Sequence, residues 1–158
     1  MVREDNAMKE RQTSGLQRVE RFLMALANRH PVDASTELSE EATYVVPGRS
    51  WAAGTFTGRE EIVRHFEHTF DFAVDVDALK WVDWMVGTSL VAAVLDAHLQ
   101  RGLSEFEGSL LFMFSFNSSV DIAGIRLFLE DQEGFDVFFG REDHPDSDVF
   151  LHRYDEDE

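Results

Sequence analysis

Cysteine is absent from the 158 residues, so disulfides, thiolate nucleophiles and thiolate metal sites are all excluded. Lysine is almost absent too: only Lys9 and Lys80 occur, and 14 basic residues face 31 acidic ones for a formal net charge of -17. Nucleic acids and anionic membrane surfaces are held by clustered Lys and Arg, so neither is expected as a partner. No apolar run approaches the ~20 residues that a membrane span needs. The stretch from Met1 to Arg11 is polar and lacks the apolar segment of a secretory signal, which leads us to expect a cytoplasmic protein. Among the aromatics, 2 Tyr and 3 Trp stand against 14 Phe, so bulk is plentiful and hydrogen-bonding rings are few. Gly-rich phosphate loops, nucleophile elbows and zinc signatures are missing, and no cofactor or metal is expected. The acidic excess with so little lysine fits either a high-salt cytoplasm or an arginine-preferring genome combined with an acidic tail.

What is present suffices for one domain with a substantial core. Residues 1–15 read as a flexible lead-in. Leu16, Val19, Phe22, Leu23 and Leu26 recur at helical spacing, and Pro31 ends that helix. A short helical stretch over Ala34 to Glu41, anchored by Leu38, precedes a strand at Thr43–Val46 that Pro47-Gly48 breaks. Thr57-Gly58-Arg59-Glu60 has the form of a capping box, and the helix after it carries Ile62, Phe66 and Phe70 on one face. From Ala73 the period changes to two. Val74, Val76 and Leu79 lead into Trp81–Val86, Gly87-Thr88 turns the chain, and Leu90–Gln100 returns. Phe106–Phe116 places Phe106, Leu110, Phe112, Phe114 and Phe116 on one side, and Ile122–Glu130 follows. Phe135–Phe139 reads as a closing helix or strand. Residues 141–158 hold eight acidic residues against two arginines and read as an acidic tail. Helices ahead of a meander imply an α+β fold: a curved antiparallel sheet covered by about three N-terminal helices, with a small apolar pocket between them.

Tyr44-Val45-Val46-Pro47-Gly48-Arg49-Ser50, followed by Ala53-Gly54-Thr55-Phe56-Thr57-Gly58-Arg59-Glu60-Glu61-Ile62, resembles the SnoaL-like polyketide cyclase group of the nuclear transport factor 2-like superfamily. A strand ending in Pro-Gly, a short loop and Gly-Arg-acid opening the third helix carry the resemblance, and the element order matches over 16–140. The resemblance implies a cystatin-like cone, or half barrel, with a pocket between sheet and helices and frequent dimerisation through the outer sheet face. The superfamily includes isomerases, cyclases, hydrolases and non-catalytic binding domains, and a fold does not choose among them.

Acid/base chemistry in an apolar hollow needs a carboxylate shifted by burial and a donor for a developing oxyanion. Asp131, at the end of the last strand, is the first candidate general acid/base, against a solvated turn carboxylate. Tyr44 is the candidate donor, against a packed strand tyrosine. Asp96 and His98 alternate on a strand and share one side of the sheet, which makes them either a proton-transfer pair or an outer-face pair. Trp51, Phe56, Phe66, Phe70, Phe112, Phe114 and Phe128 are the candidate pocket walls. Arg126 is either a ligand-carboxylate receptor or a cross-strand partner of Glu107. His65 and His68, with Glu61, read as a solvated helix face rather than a metal pair. These residues suggest a small-molecule-binding protein for an apolar ligand, acting as an isomerase, cyclase or hydrolase. The alternatives are a non-catalytic carrier, a dimeric interaction domain, or an acidic surface that recruits a basic partner.

Overall fold

The computed structural model describes residues 2–73 and 80–140. The expectations for Val74, Val76, Leu79 and the acidic tail fall outside them.

Among the described residues six strands form one open, curved sheet: β1 (Leu38–Val46), β2 (Gly54–Thr57), β3 (Lys80–Val86), β4 (Leu90–Arg101), β5 (Ser104–Phe116) and β6 (Ile122–Leu129), in the order β2-β1-β6-β5-β4-β3. The meander from β3 to β6 is antiparallel, as its alternation and turns foretell. Two features depart from the expectation. β1 pairs parallel with β6, and residues expected in a loop form β2, which pairs antiparallel with β1. The strand also begins at Leu38, so the expected helix over Ala34 to Glu41 is replaced by a shorter one at Pro31–Ser35. The cause is tertiary: the Ile122 amide donates to the Glu37 carbonyl at 3.0 Å, Leu38 pairs with Ile122, and the Leu38 side chain is fully buried.

Among the described residues, α1 (Val2–Ala27), α3 (Arg59–Phe72) and α4 (Gln132–Phe139) pack on the sheet, and the short α2 (Pro31–Ser35) packs against α1 and α3. Val19, Phe22, Leu23 and Leu26 of α1 are buried, as their spacing demands. Residues 2–15 belong to α1, which is helical from Val2. The Arg11 guanidinium donates to the Asn117 carbonyl at 2.9 Å and the Gln12 amide to the Gly87 carbonyl at 3.0 Å, so two strand-end loops hold the polar first half of the helix.

The expected Thr57/Glu60 capping box does not form. Gly58, at φ 89°, occupies the N-cap, and the Glu61 carboxylate accepts from the Thr57 amide at 2.9 Å instead. At the other end, α3 has no basic residue in its last turn, and two arginines from elsewhere meet its orphan carbonyls. Arg29 donates to the Phe70 carbonyl and Arg101 to the Phe72 carbonyl, each guanidinium lying over the ring of the residue it caps.

β5 buries Phe106, Leu110, Phe112 and Phe114 on the inner face, next to Val91, Ala93 and Leu95 of β4 and Ile125 and Leu127 of β6. Phe114 is 0% exposed and meets Phe22 edge-on at 5.7 Å between centroids, which ties the sheet to α1. Burying such a ring stabilises by about 1.5–3 kcal/mol relative to leaving it in water.

Candidate functional site

Between the inner sheet face and the helices lies a cavity of about 90 Å³. Leu26 closes it from α1, Phe66 and Phe70 from α3, Phe135 and Phe139 from α4, and Leu110, Phe112 and Leu127 from the sheet. The wall includes four residues with polar side chains: Arg29, Tyr44, His65 and Thr69. The Thr69 hydroxyl donates to the Phe66 carbonyl at 2.9 Å within its own helix. Arg29 is exposed and sits at the rim against Phe70. Tyr44 and His65 therefore supply the buried polarity of the interior.

The two rings lie 5.6 Å apart, edge to face, and are 3% and 6% exposed. Each is held by stacking: Tyr44 on Phe66 at 5.0 Å with 17° between planes, and His65 on Phe56 at 3.9 Å with 26°. No hydrogen bond joins either side chain to another described residue. Burial, with a smaller contribution from the neighbouring His68, lowers the His65 pKa to about 4, so the imidazole is neutral at pH 7. Burial also raises the Tyr44 pKa, so its phenol stays protonated. The pair offers one hydroxyl donor together with one imidazole donor and one imidazole acceptor.

Tyr44, Phe66, Phe70 and Phe112 line the cavity. Phe56 stands one layer behind, stacked on His65. Phe114 is core against α1, and Trp51 packs on Phe72 and Phe139, its indole nitrogen buried without a partner. Phe128 is 43% exposed on the outer face, because a register shift between Ser115 and Phe116 turns Ile125 and Leu127 inward instead.

Asp131 does not line the cavity. It is exposed and caps α4, accepting from the Gly134 amide at 2.9 Å. Asp96 and His98 lie on the outer face, where Asp96 accepts from Ser109 at 3.0 Å and His98 meets Glu105. Arg126 stands opposite Met113 in the ladder, while Glu107 is opposite His98, so the Arg126–Glu107 cross-strand pair does not form.

His65 is buried, where a solvated helix face is expected. The signal for its burial is local: from Ile62, the steps i+3, i+4 and i+7 reach His65, Phe66 and Thr69. His68 is exposed, so the two histidines point apart. Among the described residues no three His, Asp or Glu side chains are grouped to hold a metal ion, and no helix is long and apolar enough to cross a membrane.

No protein-family model matches the sequence, and no curated protein matches it. Solved structures do. Bal32a, from a soil-derived mobile gene cassette, superposes with a TM-score of 0.77 at 19% identity over 82% of this chain and 99% of its own. A nuclear transport factor 2-like protein from Burkholderia xenovorans gives 0.68 at 16% identity over 81% and 97%. SalBIII, an epoxide hydrolase/cyclase-like enzyme of pyran ring formation in salinomycin, gives 0.62 at 15% identity over 74% and 91%. At these identities the likeness establishes the fold, which is nuclear transport factor 2-like.

Proposed function

We propose that this chain is a small-molecule-binding protein whose ligand is a compact, largely apolar molecule held between the sheet and the helices. The carrying observation is the cavity itself, walled by Leu and Phe side chains with two buried polar rings among them. Such concave, mostly apolar sites with a few fixed polar groups are the common form of ligand pocket. An apolar cavity of ~150 Å³ seats benzene. At about 90 Å³ this one takes a ring only if rim side chains such as Phe70 shift, or if part of the ligand stays at the mouth.

Catalysis of the isomerase, cyclase or hydrolase kind is the second reading, favoured by the Tyr44–His65 pair and by a fold shared with SalBIII. It would run without a carboxylate from the described wall, which includes no Asp or Glu. An imidazole with a pKa of about 4 is also a weak base, since a general base works best near the operating pH. Both points weigh toward binding.

The test is thermal-shift and NMR screening against small aromatic and aliphatic molecules. Binding is expected for the native protein and not for Leu127→Phe, which fills the cavity. A panel without any binder to millimolar concentration would overturn the proposal.

A homodimer through the outer sheet face forms the second part of the proposal. Two adjacent ladder rows support it, Met85-Ala92-Met113 and Val94-Leu111-Phe128, which place apolar side chains on that face. In a two-fold pair each patch would cover its own copy. Sedimentation should show a dimer that Met113→Lys converts to monomer; an unaffected dimer would exclude this face.

A further inference from the structure

We infer that Tyr44 and His65 together recognise one uncharged oxygen function, a carbonyl or a hydroxyl, on the molecule bound in the cavity. This rests on the reading of the cavity as the ligand site and names the ligand chemistry that the site takes.

Neither side chain has a hydrogen-bond partner among the described residues, and neither is among the sealed unpaired atoms, which are Ser50 Oγ and Trp51 Nε1, so the polar atoms of Tyr44 and His65 stay open to the cavity they line. Stacking on Phe66 and Phe56 fixes both rings before any ligand arrives, so little ordering is left for the binding step. A ketone oxygen can accept from the Tyr44 hydroxyl and from the imidazole N–H. A ligand hydroxyl can accept from Tyr44 while donating to the unprotonated imidazole nitrogen. Thr69 adds nothing to this set, since its hydroxyl is engaged by the Phe66 carbonyl.

Anionic ligands fit poorly. Among the described residues of the wall Arg29 is the one permanent cation, and it is out at the rim with its guanidinium over Phe70 and an N–H on the Phe70 carbonyl, while His65 is neutral. A carboxylate placed at the pair would be desolvated without a partner.

Four ligands sharing one aryl skeleton separate the possibilities: acetophenone, 1-phenylethanol, ethylbenzene and benzoate, titrated by NMR at pH 7.5. Acetophenone and 1-phenylethanol should bind about tenfold more tightly than ethylbenzene, the scale of one net hydrogen bond. Benzoate should bind weakest. Tyr44→Phe and His65→Phe should each bring acetophenone toward the ethylbenzene level. Retained ethylbenzene binding reports that the cavity of each variant is intact. The carbonyl stretch of bound acetophenone should lie lower in the native protein than in Tyr44→Phe. Equal binding of ketone and hydrocarbon would overturn the inference while leaving the cavity as a binding site. Benzoate binding more tightly than acetophenone would overturn it as well. If none of the four binds, the cavity reading falls and the inference with it.

Discussion

The His65 imidazole carries a pH dependence that a surface histidine would lack. Its folded pKa, about 4, lies below the unfolded value of ~6.5. The folded state therefore binds the proton less readily, and stability is full above pH 6.5 and declines as pH falls toward 4. The loss accumulates across this window and reaches the order of 3 kcal/mol only once the pH is below the folded pKa. Urea unfolding of the native protein and of His65→Phe between pH 7.5 and 4 should show the native protein losing stability relative to the variant. Parallel curves would mean that the imidazole is not buried neutral. Asp131 makes the opposite case, a carboxylate whose role is structural. Asp131→Ala should destabilise by about 1 kcal/mol through loss of the α4 cap, and should leave ligand affinity unchanged. The sequence could offer both residues as titratable groups, but not which of them the fold encloses. That depends on where α3 and α4 lie across the sheet.

At the level of elements, legibility followed the strength of the local period. β5 reads correctly because Phe106, Leu110, Phe112 and Phe114 fall on one side of the strand, and the structure buries that side. β6 was read with its faces exchanged at Phe128. The shift between Ser115 and Phe116 pairs Ser115 with Gly124 but Phe116 with Ile122, leaving Ala123 as the extra residue. One added residue exchanges the faces of everything beyond it, and short, moderately apolar segments carry no mark of it. The two faces have different energetic weights. Phe114→Ala should destabilise by about 3–5 kcal/mol, whereas Phe128→Ala on the monomer should stay under about 1 kcal/mol. Chemical denaturation of both variants checks the assignment; similar losses would contradict the register. The first residues of β1 carry no local mark of a strand, because their pairing with β6 comes from a distant segment that propensity does not see.

For the whole molecule, helix order and the meander are legible, because they follow from periodicity. The parallel β1–β6 pairing and the place of His65 in the cavity wall are not, since both arise from contacts across the chain. With a formal charge of -17, copies of this chain repel one another at a distance, so the proposed association through the outer face should tighten as salt screens that repulsion. Sedimentation at 50 and 500 mM salt should show a larger dimer fraction at the higher concentration; the reverse would point to an interface held by ion pairs.

The two arginines at the end of α3 bear on time as well as on structure. Arg29 and Arg101 fasten the last turn of the helix to the end of α1 and to β4, beside Phe70 and the mouth of the cavity. For a ligand that leaves past this fastened turn, residence time is governed by how often the latch loosens. Arg101→Gln should speed exchange of a bound ligand several-fold while shifting the equilibrium constant much less, because association and dissociation quicken together. NMR exchange spectroscopy would read both rates. Unchanged rates would mean that traffic into the cavity takes another route.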